Sequence, residues 1–563
     1  MTCLPSVMAL VVGASLVVLA GSVPAQTVGG GWDLKYRCDG NLPGDQYGRA
    51  VSAAGDVDGD GILDFAHGAP SADPGGLTDA GSVFVYSGAT GGKLYRFDGP
   101  HAIACLGVSV ASAGDVNGDG RADLIAGAPC ADSPAGLNEG AAFVYSGVDG
   151  QVLYHFVGVN NLDGFGDSVD GGGDLNGDGM PDFLIGAPYS DVNGPSGGSV
   201  YVYSGADGSL LLQFHARGGS ELGDSVGFIG DLNLDGRDDF IVSAPGAQAH
   251  GVMNSGSALV ISGASGSIIY RIDNPIKGFL GRGDSVAGAG DCNGDSLPDM
   301  IVGAPFAEPN GVNLAGGVSV ASGRTGLGLW ARFGIADTVL GWSVSGAGDL
   351  DQDGMDDVVV SALGHGWVYL LRGLDGEEVW RFHIGSTRGE NGAVAGLGDL
   401  DGDGFPDVIA GDGDLDPNGV TDGGSVLVYT HKPFLDCAPS FLSVAAGGPV
   451  DLMVDFPDSE AAQPYQILAS RTGTGPTWLG GVQVPLTEDP IFVRSRDGTY
   501  PAYTTGFTGL LDAVGDAKAV LAPGAGQFAP HLIGHTLYFA AVTGLRAGAW
   551  SVSSMAAPLA IVP

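Results

Sequence analysis

The stretch Asp56-Val57-Asp58-Gly59-Asp60-Gly61-Ile62-Leu63-Asp64 sets carboxylates at relative positions 1, 3, 5 and 9 and a glycine at position 6. Hard divalent cations such as calcium take roughly six to eight oxygens from carboxylates, carbonyls and water. A chain curling around an ion offers alternate side chains to it, and needs glycine where the curl demands positive φ. The Ile62 carbonyl can add a ligand, and Asp64 closes the ring. The competing reading of a single loop is an Asx turn, because Asp and Gly are ordinary turn residues.

The loop recurs seven times. Later copies open at Asp115, Asp174, Asp231, Asp291, Asp349 and Asp399. Their third positions are Asn117, Asn176, Asn233, Asn293, Asp351 and Asp401, and their fifth are Asp119, Asp178, Asp235, Asp295, Asp353 and Asp403. Their ninth are Asp123, Asp182, Asp239, Asp299, Asp357 and Asp407. All 28 positions carry a side-chain oxygen. Turn chemistry does not require that strictness, so the loops read as calcium sites, up to seven ions in all. An EF-hand would need a Glu at position 12 and flanking helices. Here position 12 is His67, Ala126, Ile185, Val242, Val302, Val360 and Ala410, within short apolar runs that read as strands. The loops with four carboxylates, in repeats one, six and seven, should bind most tightly. The fifth, with Asn293 and with Ser296 in place of the curl glycine, should bind least tightly.

The loops must be held by something that repeats with them. Their starts are 59, 59, 57, 60, 58 and 50 residues apart. In the second unit a strand at 107–112 precedes the loop. Strands at 124–129, 142–146 and 152–156 follow it, giving a four-stranded meander. A bulky residue and Gly introduce the first strand at Tyr47-Gly48, Leu106-Gly107, Phe165-Gly166, Leu222-Gly223 and Leu340-Gly341. The second strand ends in Gly-Ala-Pro at 68–70, 127–129, 186–188 and 303–305, and in Ser243-Ala244-Pro245. Units that cannot bury their own faces must stack, and four-stranded units stack radially as propeller blades.

This motif pair, with the loop between its halves and the seven-fold count, resembles the FG-GAP repeat of integrin alpha-subunit propellers over residues 33–430. The resemblance implies an all-β chain: a seven-bladed β-propeller of four-stranded blades with calcium loops on one rim. Blades five to seven depart from the motif at Arg282-Gly283, at Ser361-Ala362-Leu363, and at Asn391-Gly392 with Gly411-Asp412-Gly413. Lys35-Tyr36-Arg37-Cys38-Asp39-Gly40 repeats Leu94-Tyr95-Arg96-Phe97-Asp98-Gly99, so an N-terminal strand should supply the fourth strand of blade seven and remove a free edge. The connections between second and third strands are long and varied, save Gly364-His365 in blade six. They lie on the face opposite the calcium loops, where binding is expected.

Residues 1–25 read as a signal peptide: an apolar run at 7–20, then Val23-Pro24-Ala25 before Gln26. Residues 26–435 form the propeller. Residues 436–563 alternate short apolar runs with Gly/Pro turns and read as a small β-sandwich. The mature chain is expected to be secreted or cell-surface, with no membrane insertion. A net charge of −42, or −28 after seven divalent ions, argues against nucleic-acid or anionic-membrane partners. Of the six cysteines, Cys105 and Cys130 flank the second loop's hairpin and are expected to form a disulfide.

No HExxH, Walker, GxGxxG or GxSxG motif accompanies this pattern. Arg282-Gly283-Asp284 spells an adhesion tripeptide but sits at a blade's first motif, as Asp167 and Asp224 do in theirs, and reads as strand rather than loop tip. The expected function is a non-enzymatic binding or adhesion module with structural calcium and an extracellular protein or glycan ligand. The alternative is a polysaccharide lyase on the same scaffold, which would need a basic or metal-assisted cluster at the channel mouth.

Overall fold

The structure is a computed structural model. It describes residues 31–432 except 133–137, 249–254, 274–284 and 386–391, and beyond 432 only the strands, together with Leu4–Pro5. The expected signal peptide, apart from that dipeptide, and the Arg282-Gly283-Asp284 tripeptide lie outside the described residues. No described helix is long and apolar enough to cross a membrane.

Seven antiparallel meanders form a β-propeller. Blade one comprises Ala50–Gly55, Asp64–Ala69, Ser82–Tyr86 and Lys93–Asp98. The same order recurs from Val110–Gly114 in blade two to Leu340–Gly348 in blade six. Burial follows position. The second strand of six blades is buried along its whole length, whereas fourth strands are half exposed. Inner strands of successive blades touch in sequence, and that of blade seven, Gly392–Gly398, touches that of blade one. The ring is closed.

Blade seven takes its outer strand from the N-terminal side: Gly31–Asp39 pairs with Ser425–Lys432. The side chains repeat the local chemistry of other blades. Tyr36 donates to the Gly88 carbonyl at 3.0 Å, as Tyr95 does to Gly147 at 2.8 Å. Ser425 donates to Asp39 at 2.7 Å, as Ser82 does to Asp98 at 2.8 Å.

The motif pair has a steric cause. A Cβ on Gly68 would lie 1.8 Å from the carbonyl oxygen of Gly107 in the next blade. Gly127 meets Gly166, Gly186 meets Gly223, Gly303 meets Gly341, and Gly411 meets Gly48 in the same way, at 1.9–2.2 Å. The glycine of one blade's Gly-Ala-Pro is thus the seat for the next blade's entry glycine. The bulky residues beside those entry glycines are buried between blades, Leu106 and Phe165 at 0% and 2% exposure. Where the seat is serine instead, in blades four and six, its hydroxyl accepts a backbone N–H of its own first strand: Ser225 to Ser243 at 2.8 Å and Ser343 to Ser361 at 2.9 Å.

The first strand of blade two starts at Val110, later than the sequence suggests. Leu106 bridges to Gly81 of the preceding blade instead of to its own hairpin. This corrects the expected disulfide. Cys105 and Cys130 are both free thiols, in hydrogen-bond contact with each other. Cys105 lies on the segment that crosses to the neighbouring blade, at φ 56°, and not on a ladder pair with Cys130. Cys38 is disulfide-bonded.

The chain divides into two compact units, the second including His431–Pro563. Its described strands form two larger sheets and a hairpin. One sheet orders Leu435–Ala438, Val450–Asp455, Asp516–Leu521 and Thr504–Thr505. The other is built on Thr536–Thr543 paired with Pro464–Ser470 and Ala557–Val562.

Candidate metal loops and their setting

Each loop is launched by a bulge. The register of first against second strand shifts at Gly55, Gly114, Gly173, Gly230, Gly290, Gly348 and Gly398, each immediately before the loop's first Asp. A bulge bends the strand and re-aims the residue that follows it. Loop one shows the consequence. Asp56 accepts the N–H groups of Gly59 at 2.5 Å and Gly61 at 3.0 Å. Asp58 accepts that of Asp60 at 3.2 Å, and Asp60 that of Ile62 at 2.9 Å. The remaining carboxylate oxygens gather on the concave side. Asp56, Asp58 and Asp64 bring one ligand oxygen each within 4.8 Å of one another. The same holds for Asp349, Asp351 and Asp353, and for Asp399, Asp401 and Asp407. These are the loops with carboxylates at all four positions.

In loops two to five an Asn holds position 3. Asn117 and Asn176 accept the fifth-position N–H at 2.9 and 2.8 Å, as Asp58 does. Asn233 and Asn293 turn their amide N–H groups onto Asp239 and Asp299, and Asn176 donates to Asp182 in the same way at 3.4 Å. In loop five Arg324, from the turn between third and fourth strands, pairs with Asp295 at 3.1 Å and so neutralises one of the expected ligands.

Position 9 does more than close the ring. Asp64 is fully buried and accepts N–H groups from Val57 at 2.8 Å, Asp58 at 3.2 Å and Gly88 at 2.9 Å. Gly88 begins the turn between third and fourth strands, so this carboxylate staples the loop to the neighbouring turn. Asp123, Asp182, Asp239, Asp299 and Asp357 reach Gly147, Gly205, Gly263, Gly323 and Gly373 likewise. Burial pushes Asp64, Asp123, Asp182, Asp239 and Asp299 up to about 6, against the pull of these hydrogen bonds. Nearby carboxylates add to the rise, Asp58 in loop one and Asp119 in loop two. A divalent cation would reverse that rise, so the donor set fits a hard metal ion.

Sequence reasoning missed a second convergence, at the other end of the inner strands. In five blades the residue after the entry glycine, Arg49, Val108, Asp167, Asp224 or Trp342, lines one cavity of about 450 Å³ at the channel mouth, with Gly392 standing at the same position in blade seven. Asp167, Asp414 and Asp224 act on the Arg49 guanidinium, and burial pushes Asp167 up to about 6. The signal was in the sequence as an aligned column, but a column does not announce that its members meet.

The architecture and the loops define a seven-bladed propeller of repeats with an acidic loop in every blade. The FG-GAP repeat family matches residues 47–86, 106–145 and 165–203, and the FG-GAP-like repeat family matches 349–410. The chain carries FG-GAP repeats, and its propeller is similar to that of integrin alpha subunits. Integrin alpha-8 of Mus musculus is 31% identical over 35% of this chain and 19% of its own length. Integrin alpha-5 of Xenopus laevis is 32% identical over 35% of this chain and 20% of its own. Integrin alpha-IIb of Mus musculus is 33% identical over 38% and 22%. The matched region spans about a fifth of those relatives.

Proposed function

We propose that this chain is a secreted or cell-surface, calcium-binding propeller that acts as a non-enzymatic binding or adhesion module. The observation that carries the calcium reading is the clustering of carboxylates within 4.8 Å in loops whose backbone N–H groups already hold each side chain in place. All 28 loop residues are assigned as ligands, up to seven ions, with calcium bracing the scaffold. The integrin-like propeller supports the adhesion reading, with an extracellular protein or glycan as ligand. The C-terminal segment is a separate sandwich-like unit. No finding supports the lyase alternative. Calcium titration by calorimetry, with thermal melts in calcium and in EDTA, tests the proposal. Several calcium ions bound and a higher melting temperature are expected. No calcium-dependent heat and an unchanged melt would overturn it.

A further inference from the structure

The channel mouth lies at the opposite end of the inner strands from the metal loops and presents a built polar site. Six blades contribute the residue following the entry glycine, or its equivalent, to one cavity of about 450 Å³, within the ordinary range of small-molecule pockets. The next residue along is alanine at Ala50 and Ala393 and serine in the other five blades; Ser168 donates to the Gly223 carbonyl at 2.8 Å, and the other four serines share one hydrogen-bond pattern. Ser109 accepts the Val169 N–H of the following blade at 3.0 Å, Ser225 that of Val286 at 3.2 Å, Ser285 that of Val344 at 3.1 Å, and Ser343 that of Val394 at 3.1 Å. Each bond spends a lone pair and pins the oxygen in the channel wall. It leaves the hydroxyl proton without a described acceptor, so these four serines are available to donate.

The other groups restrict what could bind. Arg49 adds a guanidinium that has no carboxylate within ion-pair distance among the described residues, and only donates. Asp167 and Asp224 face the same cavity and only accept when ionised. An anion would suit Arg49 but meet both carboxylates. A simple cation would suit the carboxylates but leave Arg49 and four hydroxyl donors unanswered, at the cost of unpaired buried groups. An uncharged ligand with many groups that both donate and accept answers the guanidinium, the carboxylates and the hydroxyls together, without setting a like charge against any of them. It also meets an apolar face: Trp342 lines the cavity, braced edge-on by Phe306 at 5.9 Å and 81°, and the half-exposed Tyr189 stands at the rim.

We infer that the loop-face mouth of the channel binds a neutral saccharide, with Asp167 and Asp224 accepting from its hydroxyls, Arg49 and the four serines donating to them, and a sugar face against Trp342. This rests on the binding-module reading above and names its ligand class and seat.

The test uses the full calcium-loaded chain on an array of neutral oligosaccharides (glucans, mannans, galactans and xylans) beside an array of extracellular proteins and cationic peptides, followed by fluorescence titration of the best glycan. Binding of a neutral glycan is expected, with a loss of about tenfold or more in Asp224→Asn and Trp342→Ala and no change in Asp149→Asn on the opposite face. Melting temperatures confirm folding. If Asp224→Asn unfolds the chain, Trp342→Phe, which keeps a stacking ring, should bind better than Trp342→Ala. Glycan binding untouched by either mouth variant would overturn the site but spare the module reading. Binding of proteins or cationic peptides alone would overturn the saccharide class and spare it too. Silence on both arrays would sink both.

Discussion

Two aspartates of one acidic loop have different work. Asp60 is exposed, and its one recorded backbone contact is the Ile62 N–H. Asp64 is wholly buried and answers three backbone N–H groups. Removing Asp64 would strand buried donors whether or not an ion is present, so Asp64→Ala should cost about 3 kcal/mol in EDTA as well as in calcium. Asp60→Ala should cost less than about 1 kcal/mol in EDTA and act mainly through calcium affinity. Urea denaturation under both conditions separates the two. A second residue-scale prediction concerns Asp170 in the channel wall, which accepts the Phe228 N–H at 2.9 Å across two blades. Burial raises it from 3.8 to about 6, so the native state holds its proton more tightly than the unfolded chain does. Its contribution is then fully present below about pH 4 and lost as pH rises through about 6. Asp170→Asn keeps the accepting oxygen and removes the charge. Measured melting temperatures should favour Asp170→Asn over the native chain progressively more from pH 4 to 7.

At the scale of the loop, backbone conformation ranks the sites as much as ligand charge does. Position 6 takes φ of 85° to 90° at Gly61, Gly120, Gly179, Gly236, Gly354 and Gly404, and Ser296 is forced to 67° in blade five. Position 4 is equally demanding. Glycine serves there in five loops, but Leu234 stands at 59° in blade four and Gln352 at 56° in blade six. A side chain in this region costs on the order of 1 kcal/mol or more. Loop five thus combines strain with Arg324 pairing to one of its acids. Loop six offsets its four carboxylates with strain at Gln352. Leu234 is 72% exposed and loses little packing when removed. Leu234→Gly and Ser296→Gly should each stabilise the chain by about 1 kcal/mol and tighten calcium binding at their loops. Chemical denaturation together with calcium titration of each variant checks this.

At the scale of the propeller, seven loops bound to a ring act together. Extracellular calcium modules bind at roughly 10⁻⁴ to 10⁻³ M. An ion that binds only the folded form at a few times its dissociation constant adds about 1 kcal/mol per site. Summed over the loops this is comparable to the stability of a typical domain, and it should raise the melting temperature by on the order of 10 °C between EDTA and calcium. The closed ring is what allows the sum. The last blade is completed by Gly31–Asp39, and the Gly411–Gly48 seat joins it to the first. Loosening one loop therefore strains its neighbours rather than fraying an end.

The repeat period, the acidic loops, the motif glycines and the blade-closing strand were legible in the sequence because each is local chemistry written several times. Asp56 to Asp64 is one turn of chain, and Tyr36 carries its own likeness to Tyr95. Glycine before each first Asp was equally visible, though its use as a bulge needed the register. Other features arise between blades. Arg49, Asp167, Asp224 and Trp342 are tens to hundreds of residues apart, and only closure of the ring puts them in one cavity. Cys105 was misplaced because hairpin logic keeps a segment with its own strands, whereas Leu106 crosses to Gly81. The stapling role of Asp64 depends on Gly88, 24 residues on, and that of Arg324 on a turn folding back over Asp295. Sequence spacing sets what a loop can offer an ion. Packing of one blade on the next decides which of those groups are buried, which are already neutralised, and which side chains share the channel.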